Sequence, residues 1–377
     1  MSELVLYPIG HEPLPTWCGR PGGYELRHSV SGKPFYVWKK PVPRIADWLL
    51  DCVVYLYPSA QDADAGEAAG GTGFLAFVRS EVNRDYGVAY CVTNSHVIRE
   101  AGSPVIRVNT KDGGRDVLAL EQDDWIHHPD GDDLAVCPIA VSNPDYYQYS
   151  VIETDMLVTK EFMERQNIGP GDEVFMVGRF GTHEGRQRNT PVVRFGNISM
   201  MPWEPIMHGR GYTVESFLVE TRSLSGFSGS PVFVYHTPHT PYPSDFPDRE
   251  QGIWLLGVDW GHLPIFENVK EKNRKDDVPE GWVVESNSGQ MAVTPAWKLQ
   301  ELLDTEDLAV GRKQADDELS KRRDDSPIVL DMLPERAKQP TREDTTGDAV
   351  TRDDFFRDLK QVARKRENPS RRDQGKR

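Results

Sequence analysis

Ser225-Gly226-Phe227-Ser228-Gly229-Ser230-Pro231-Val232 is a serine held in a tight, glycine-flanked turn that runs straight into a β-strand. A turn without bulky side chains lets backbone N–H groups converge on one spot beside the serine oxygen, the arrangement that stabilises an oxyanion. A serine hydroxyl is a poor nucleophile without a base, and an imidazole base needs a carboxylate to fix its tautomer. Upstream, Val92-Thr93-Asn94-Ser95-His96-Val97-Ile98 is a strand ending in a polar turn that presents one histidine. Between the two, Gly131-Asp132-Asp133-Leu134-Ala135-Val136 sets carboxylates at the mouth of a buried strand. His96, Asp133 and Ser228 thus occur in that order, separated by 37 and 95 residues. An α/β-hydrolase carries its serine first and its histidine last, in a G-x-S-x-G elbow. Here the serine comes last, and Ser230 stands in the final glycine's place.

The surroundings read as β-structure. Val53–Tyr57, Phe74–Val78, Val88–Thr93, Val105–Asn109, Val117–Leu120 and Leu134–Ile139 form one group of short apolar runs punctuated by Gly, Pro, Asn and Asp. Glu173–Val177, Val192–Phe195, Ser216–Glu220, Pro231–Tyr235, Ile253–Val258, Trp282–Glu285 and Met291–Thr294 form a second. Two groups of short strands predict an all-β protein of two antiparallel barrels or a sandwich rather than a parallel α/β sheet. Pro295–Leu303 is the one helical stretch within this zone, and longer insertions are predicted at Gly178–Pro191, Tyr235–Gln251 and His262–Gly281.

The 377 residues carry 44 Lys+Arg against 59 Asp+Glu, a net charge of −15. That balance argues against nucleic acid as a partner, because phosphate binding needs a basic field. No apolar run reaches the roughly 18 residues of a membrane span. The first ten residues lack a basic region followed by an apolar one, so a secretory leader is not expected. The four cysteines, Cys18, Cys52, Cys91 and Cys137, form no C-x-x-C pair and are expected to be reduced, which suits a cytoplasmic protein. No H-E-x-x-H spacing occurs, so neither a metal nor another cofactor is expected. His127 and His128 read as turn or surface residues. From Gly311 onward, 18 basic and 15 acidic residues are interspersed with Pro327, Pro334, Pro340 and Pro369. Such a composition predicts a largely mobile tail over 305–377. Within it, Phe355, Phe356, Leu359 and Val362 outline a short helix over 351–366, either a terminal helix or a docking helix for another protein.

Thr93-Asn94-Ser95-His96-Val97, Asp133-Leu134-Ala135-Val136 and Gly226-Phe227-Ser228-Gly229-Ser230-Pro231-Val232 resemble the three catalytic blocks of the chymotrypsin-like serine proteases. The wording is most similar to the bacterial glutamyl-endopeptidase and high-temperature-requirement branches. Gly71-Thr72-Gly73-Phe74 resembles the hairpin before the histidine strand, and Gly257-Val258-Asp259-Trp260-Gly261 the strand lining the primary specificity pocket. The resemblance covers about Ile45 to Leu303. It implies two six-stranded antiparallel β-barrels with a terminal helix: an extension over 1–44, a first barrel over 45–145 and a second over 146–304. It implies a serine endopeptidase acting on protein or peptide substrates. Ser228 would be the nucleophile, His96 the base, Asp133 rather than Asp132 the orienting carboxylate, and the N–H groups of Gly226 and Ser228 the oxyanion hole. Ser223, Asp259, Trp260 and Gly261 would border the specificity pocket. No module follows Leu303 that would correspond to a peptide-binding PDZ domain.

Two departures matter. Phe227 stands where zymogen-type relatives carry an aspartate that pairs with a newly cut N-terminus, so activation by that ion pair is not expected. The oxyanion hole is then either preformed or assembled on binding. Asp259 stands where glutamyl endopeptidases carry a histidine; it either disfavours acidic substrate side chains or pairs with Arg222. Besides an active or partner-gated protease, the residues admit a protease-like scaffold that binds a protein partner through its tail or insertions with little activity of its own.

Overall fold

Continuous apolar runs such as Val53–Tyr57, buried at every position, belong to strands covered on both faces. In the computed structural model, successive side chains of the first strand group alternate between two apolar layers. Val54, Leu56, Leu75, Phe77, Cys91, Ile106, Val108, Ala135 and Cys137 fill one layer. Val53, Tyr55, Tyr57, Phe74, Ala76, Tyr90, Val92 and Val136 fill the other, where they meet Phe175, Val177, Phe233, Tyr235, Leu255 and Val258 of the second group. The structure describes residues 44–139, 145–181, 185–208, 211–221, 226–236, 250–268 and 283–321, with only the backbone at 267–268, 283–285 and four short strands. Those four are Glu3–Leu6 paired with Ile328–Asp331, and Glu25–His28 paired with Pro34–Val37. The chain divides into units 1–337 and 338–377, the latter outside the described residues, as is the helix expected over 351–366.

The first group forms strands β1 (Val53–Tyr57), β2 (Gly71–Arg79), β3 (Gly87–Thr93), β4 (Val105–Asn109), β5 (Arg115–Leu118), β6 (Ile126–His127), β7 (Ala135–Ile139) and β8 (Ile152–Glu153). They make one sheet in the order β5-β4-β1-β2-β3-β7-β6, with β8 added parallel to β2. The expected six-stranded barrel is here an open half-barrel. Closure fails because β6 is only two residues long, too short to zip an edge, and β5 is capped instead. The helix Ala60–Ala65 packs on β5, and Tyr147 donates its hydroxyl to Asp116 at 2.7 Å.

The second group is a closed six-stranded barrel, as expected. Its strands are β9 (Glu173–Gly178), β10 (Val192–Met200), β13 (Phe217–Glu220), β14 (Pro231–His236), β15 (Gly252–Asn268) and β16 (Val283–Pro295). They close in the order β9-β10-β13-β16-β15-β14, with a small hairpin of β11 (Ile206–Met207) and β12 (Thr213–Val214) between β10 and β13. β15 and β16 continue past the barrel as a two-stranded ribbon, Pro264 opposite Asn287 through Asn268 opposite Val283, so the insertion expected from His262 begins as paired strand.

Two helices follow: α1 (Ala296–Leu303), matching the expected helical stretch, and α2 (Glu306–Lys321). α2 lies in the stretch whose composition suggested mobility. Leu308, Gly311 and Ala315, spaced three and four apart, give it a narrow buried stripe that averaging over a long charged segment conceals. Arg312 donates to the Leu303 carbonyl of α1 at 2.7 Å, and Ser80, just after β2, to the Asp316 carboxylate, fixing α2 to α1 and to the first sheet.

A fully buried arginine joins the two β-units. Arg107 of β4 lies 4.8 Å from the Tyr57 ring centroid and donates to Asn189 Oδ1 at 2.7 Å and the Gly185 carbonyl at 2.8 Å. Asn189 closes the contact, its backbone N–H donating to Asn109 Oδ1 at 2.7 Å. Replacing Arg107 with Met strands these buried acceptors. Arg107→Met is expected to lower stability by about 3 kcal/mol, read from urea unfolding; a loss within experimental error would refute this role.

Candidate active site

β3 ends at Thr93, and Asn94 turns the chain into a one-and-a-half-turn helix, Ser95–Arg99, that carries His96. Opposite, Ala135 of β7 pairs with Thr93, which brings the residues before β7 beside those after β3. Asn94 Nδ2 donates to the Asp133 carbonyl at 2.8 Å, and the His96 N–H to Asp133 Oδ1 at 2.9 Å. His96 Nδ1 lies 2.6 Å from Asp133 Oδ2. The carboxylate is 4% exposed and the imidazole side chain 16%. Asp133 therefore grips both backbone and ring of one histidine, which fixes the ring's rotation and leaves Nε2 as its unencumbered nitrogen. N–H to carboxylate contacts this short are the charge-assisted kind.

Asp132, one residue earlier, points elsewhere. Its Oδ2 faces Lys298 Nζ at 3.4 Å and His128 Nδ1 at 3.5 Å. His128, buried rather than superficial, also faces Glu301 at 3.8 Å. His128, Asp132 and Glu301 could by spacing hold a metal ion. The Lys298 ammonium, 2.9 Å from Glu301, already supplies the positive charge there, so the group is an ionic tie between α1 and the Asp133 loop.

The serine turn is built by two left-handed glycines, Gly226 at φ +98° and Gly229 at φ +87°. A side chain on Gly229 would overlap the Thr72 carbonyl and the Thr93 hydroxyl, so the turn sits directly against the histidine strand and its neighbour. Thr72 donates its N–H to the Ser228 carbonyl at 2.9 Å and its hydroxyl to the Gly226 carbonyl at 2.9 Å. Thr93 Oγ1 donates to the Thr72 carbonyl at 2.7 Å. On the other side Gly229 N–H donates to the Asp259 carbonyl at 2.8 Å. A Cβ on Gly71 would lie 2.8 Å from the Val97 methyls and 3.3 Å from the Ser228 carbonyl, so the neighbour of His96 and the serine flank one glycine. Ser228 Oγ makes no hydrogen bond to His96. Among the described residues, the N–H groups of Gly226 and Ser228 have no acceptor.

Phe227 is fully buried in the core of the closed barrel, with Arg194 5.0 Å above its ring centroid. Apolar burial thus anchors the residue before Ser228, where an ion pair does so in zymogen-type relatives. Arg179, buried, packs its guanidinium against Gly226 and donates its backbone N–H to Thr72 Oγ1 at 3.1 Å.

Of the residues expected at the specificity pocket, Ser223 lies outside the described residues. Asp259 is fully buried and its Oδ1 accepts the Gly261 N–H at 2.8 Å; Arg222, the alternative partner expected for it, lies outside the described residues. Trp260 is 7% exposed and donates Nε1 to Ser216 Oγ at 3.2 Å. Gly261, at φ +152°, has open space beside it among the described residues: a Cβ there would meet none of their atoms within 4 Å. Thr72 lies in the Gly71–Phe74 block, though nothing there marks its role, and Arg179, Arg194 and His208 carry no motif in the sequence; His208 Nε2 lies 3.8 Å from Asp133 Oδ2.

Residues 71–236, which include His96, Asp133 and Ser228, match the family described as the trypsin-like peptidase domain. The stretch is a trypsin-like peptidase domain of the chymotrypsin/trypsin-like superfamily. No curated protein matches the chain. Solved structures with some likeness include Deg5, at 18% identity over 57% of this chain and 81% of that one, TM-score 0.32. The HtrA-type protease AlgW with a decapeptide aligns at 16% identity over 62% of this chain and half of its own, TM-score 0.33. A serine-to-alanine mutant of Rv3671c from M. tuberculosis H37Rv, in an inactive form, aligns at 16% identity over 68% and 86%, TM-score 0.34.

Two outcomes follow from this geometry. Phe227→Ala empties a fully buried site and is expected to cost about 3–5 kcal/mol in urea unfolding; a cost under about 1 kcal/mol would contradict the anchoring role. His127, whose Nδ1 lies 2.8 Å from Ser95 Oγ, is held down to a pKa of about 4 by burial and by Arg99. The folded protein thus binds fewer protons at His127 than the unfolded chain does between about pH 6.5 and 4, and stability falls as pH drops through that window. His127→Asn is expected to lose less stability between pH 7 and pH 5 than the parent; equal losses would show that His127 does not contribute.

Proposed function

We propose that this protein is a serine endopeptidase working through Ser228, His96 and Asp133. The observation that carries the reading is the double grip of Asp133 on His96, ring and backbone, at the seam where the Ser228 turn meets β2 and β3. His96 Nε2 takes the proton from Ser228 Oγ as the oxygen attacks the peptide carbonyl carbon. The N–H groups of Gly226 and Ser228 receive the resulting oxyanion. His96 then delivers the proton to the leaving amine as the C–N bond breaks, leaving an acyl ester on Ser228. Water, deprotonated by the same imidazole, hydrolyses that ester and restores the serine. Asp133 stays ionised throughout and balances the imidazolium.

Substrates in this reading are peptides, laid beside Gly261, where no described residue would touch a Cβ. Burial of Cys52, Cys91 and Cys137 as free thiols, all pushed up in pKa by desolvation, supports a reducing compartment, the cytoplasm. A second reading rests on the missing hydrogen bond between Ser228 Oγ and His96: a protein partner or substrate completes the site, or the chain is a binding scaffold with little activity. Among the described residues no helix is long and apolar enough to cross a membrane.

A fluorophosphonate probe and casein hydrolysis test the assignment together. The parent protein is expected to be labelled, and Ser228→Ala to lose labelling and at least a thousandfold of turnover, roughly. Labelling that persists in Ser228→Ala would overturn the nucleophile. A parent protein inert alone but labelled in cell lysate would select the gated form, and one inert in both the scaffold.

A further inference from the structure

Asp133 is faced by a second imidazole that the proposed reaction does not use. His208, 2% exposed, sits at the end of β11, where its backbone N–H donates to the Tyr212 carbonyl at 2.7 Å and closes the β11–β12 hairpin. Its ring is clamped between two aromatic planes. Tyr212 stacks on it at 4.6 Å with an interplanar angle of 15°, and Trp260 lies 4.2 Å away at 32°. Trp260 is itself pinned through Nε1 to Ser216. The clamp sets the plane of the imidazole, whose Nε2 lies 3.8 Å from Asp133 Oδ2, the oxygen that also receives His96 Nδ1 at 2.6 Å.

We propose that His208 is a positioning residue for Asp133, holding the carboxylate in the orientation that grips His96. The proposal rests on the protease reading for its kinetic consequence, and on geometry alone for its structural one. At 3.8 Å the contact is longer than a hydrogen bond and acts through charge and dipole. In a buried site of low dielectric such a dipole is worth more than at a surface. A buried carboxylate has about four lone-pair sites, and Asp133 Oδ2 spends one on His96. In the tautomer that carries its proton on Nε2, His208 turns an N–H toward that oxygen and favours the ionised carboxylate, which is the form that must persist when His96 takes a proton. It also opposes rotation of the carboxylate away from His96, because turning would carry Oδ2 off both imidazoles at once. Three separate elements converge here: the Asp133 loop from the half-barrel, the β11–β12 hairpin, and β15 of the closed barrel. The Asp133–His96 pair is thereby braced from the opposite β-unit.

His208→Phe keeps a flat ring between Tyr212 and Trp260 and removes the nitrogen facing Asp133. His208→Gln keeps an N–H donor of similar reach without the aromatic ring. Two measurements separate a positioning role from a merely structural one. The first is the downfield proton resonance of the His96–Asp133 hydrogen bond, identified by its loss in Asp133→Asn; it needs no catalytic activity. The second is the split between kcat and KM on a peptide substrate. For His208→Phe, the resonance is expected to shift or broaden and kcat to fall about tenfold to a hundredfold, with KM within about twofold. His208→Gln is expected to recover part of both. An unshifted resonance in folded His208→Phe, with kcat unchanged, overturns the proposal whatever the protein's activity. Should the parent protein take no fluorophosphonate while its resonance still moves in His208→Phe, the protease reading fails and the positioning role stands.

Discussion

Thr72 is the residue on which the site's assembly turns. It is fully buried and uses three polar atoms in four hydrogen bonds beyond its own strand pairing. Its N–H and hydroxyl hold the carbonyls of Ser228 and Gly226, its own carbonyl accepts from Thr93, and its hydroxyl accepts from the Arg179 N–H. The serine turn of the closed barrel, the histidine strand of the half-barrel and the end of β9 thus meet at one residue. Buried donors and acceptors must be paired, and here the pairing of one threonine dictates how two β-units dock. The glycines at 226 and 229 permit the close approach, since the space their side chains would need is filled by Arg179, Thr72 and Thr93.

The serine turn is held by apolar burial of Phe227. An ion pair made by a new N-terminus is a switchable anchor, because the partner charge exists only after cleavage. An aromatic ring sunk into a barrel core is a permanent one: Phe227 folds with the β9, β14 and β15 side chains around it, and Arg194 covers its face. In the proposed reading, what remains is to bring Ser228 Oγ and His96, not hydrogen-bonded here, into contact.

The two β-units are held at several depths. The apolar layer shared by Tyr55, Tyr57, Phe175 and Phe233 supplies the bulk of the contact, and is non-directional. Direction comes from polar ties at its margins: Arg107 with Asn189 at one, and Lys298 with Asp132 and Glu301 at another. The latter sits one residue from Asp133, so the same loop is fixed outward by Asp132 and inward by Asp133. The two carboxylates diverge at a tight turn, where the Leu134 N–H donates to the Asp132 carbonyl at 2.7 Å.

Local pattern was enough to read the strands, because burial on both faces leaves unbroken apolar runs such as Val53–Tyr57 and Ala135–Ile139. It was enough for the glycine-flanked serine turn, for the order His96, Asp133, Ser228 as candidate chemistry, and for the trypsin-like class. Those signals depend on neighbours in the chain. Whether the first sheet would close, and that α2 would form in a stretch of mixed charge, depend on packing between distant residues. The same holds for His208, marked by no motif and brought beside Asp133 from 75 residues away by a hairpin and two aromatic planes. Sequence determines which residues can form strands and turns because steric and solvation preferences are local; only the folded contact between the two β-units decides which buried polar groups find each other.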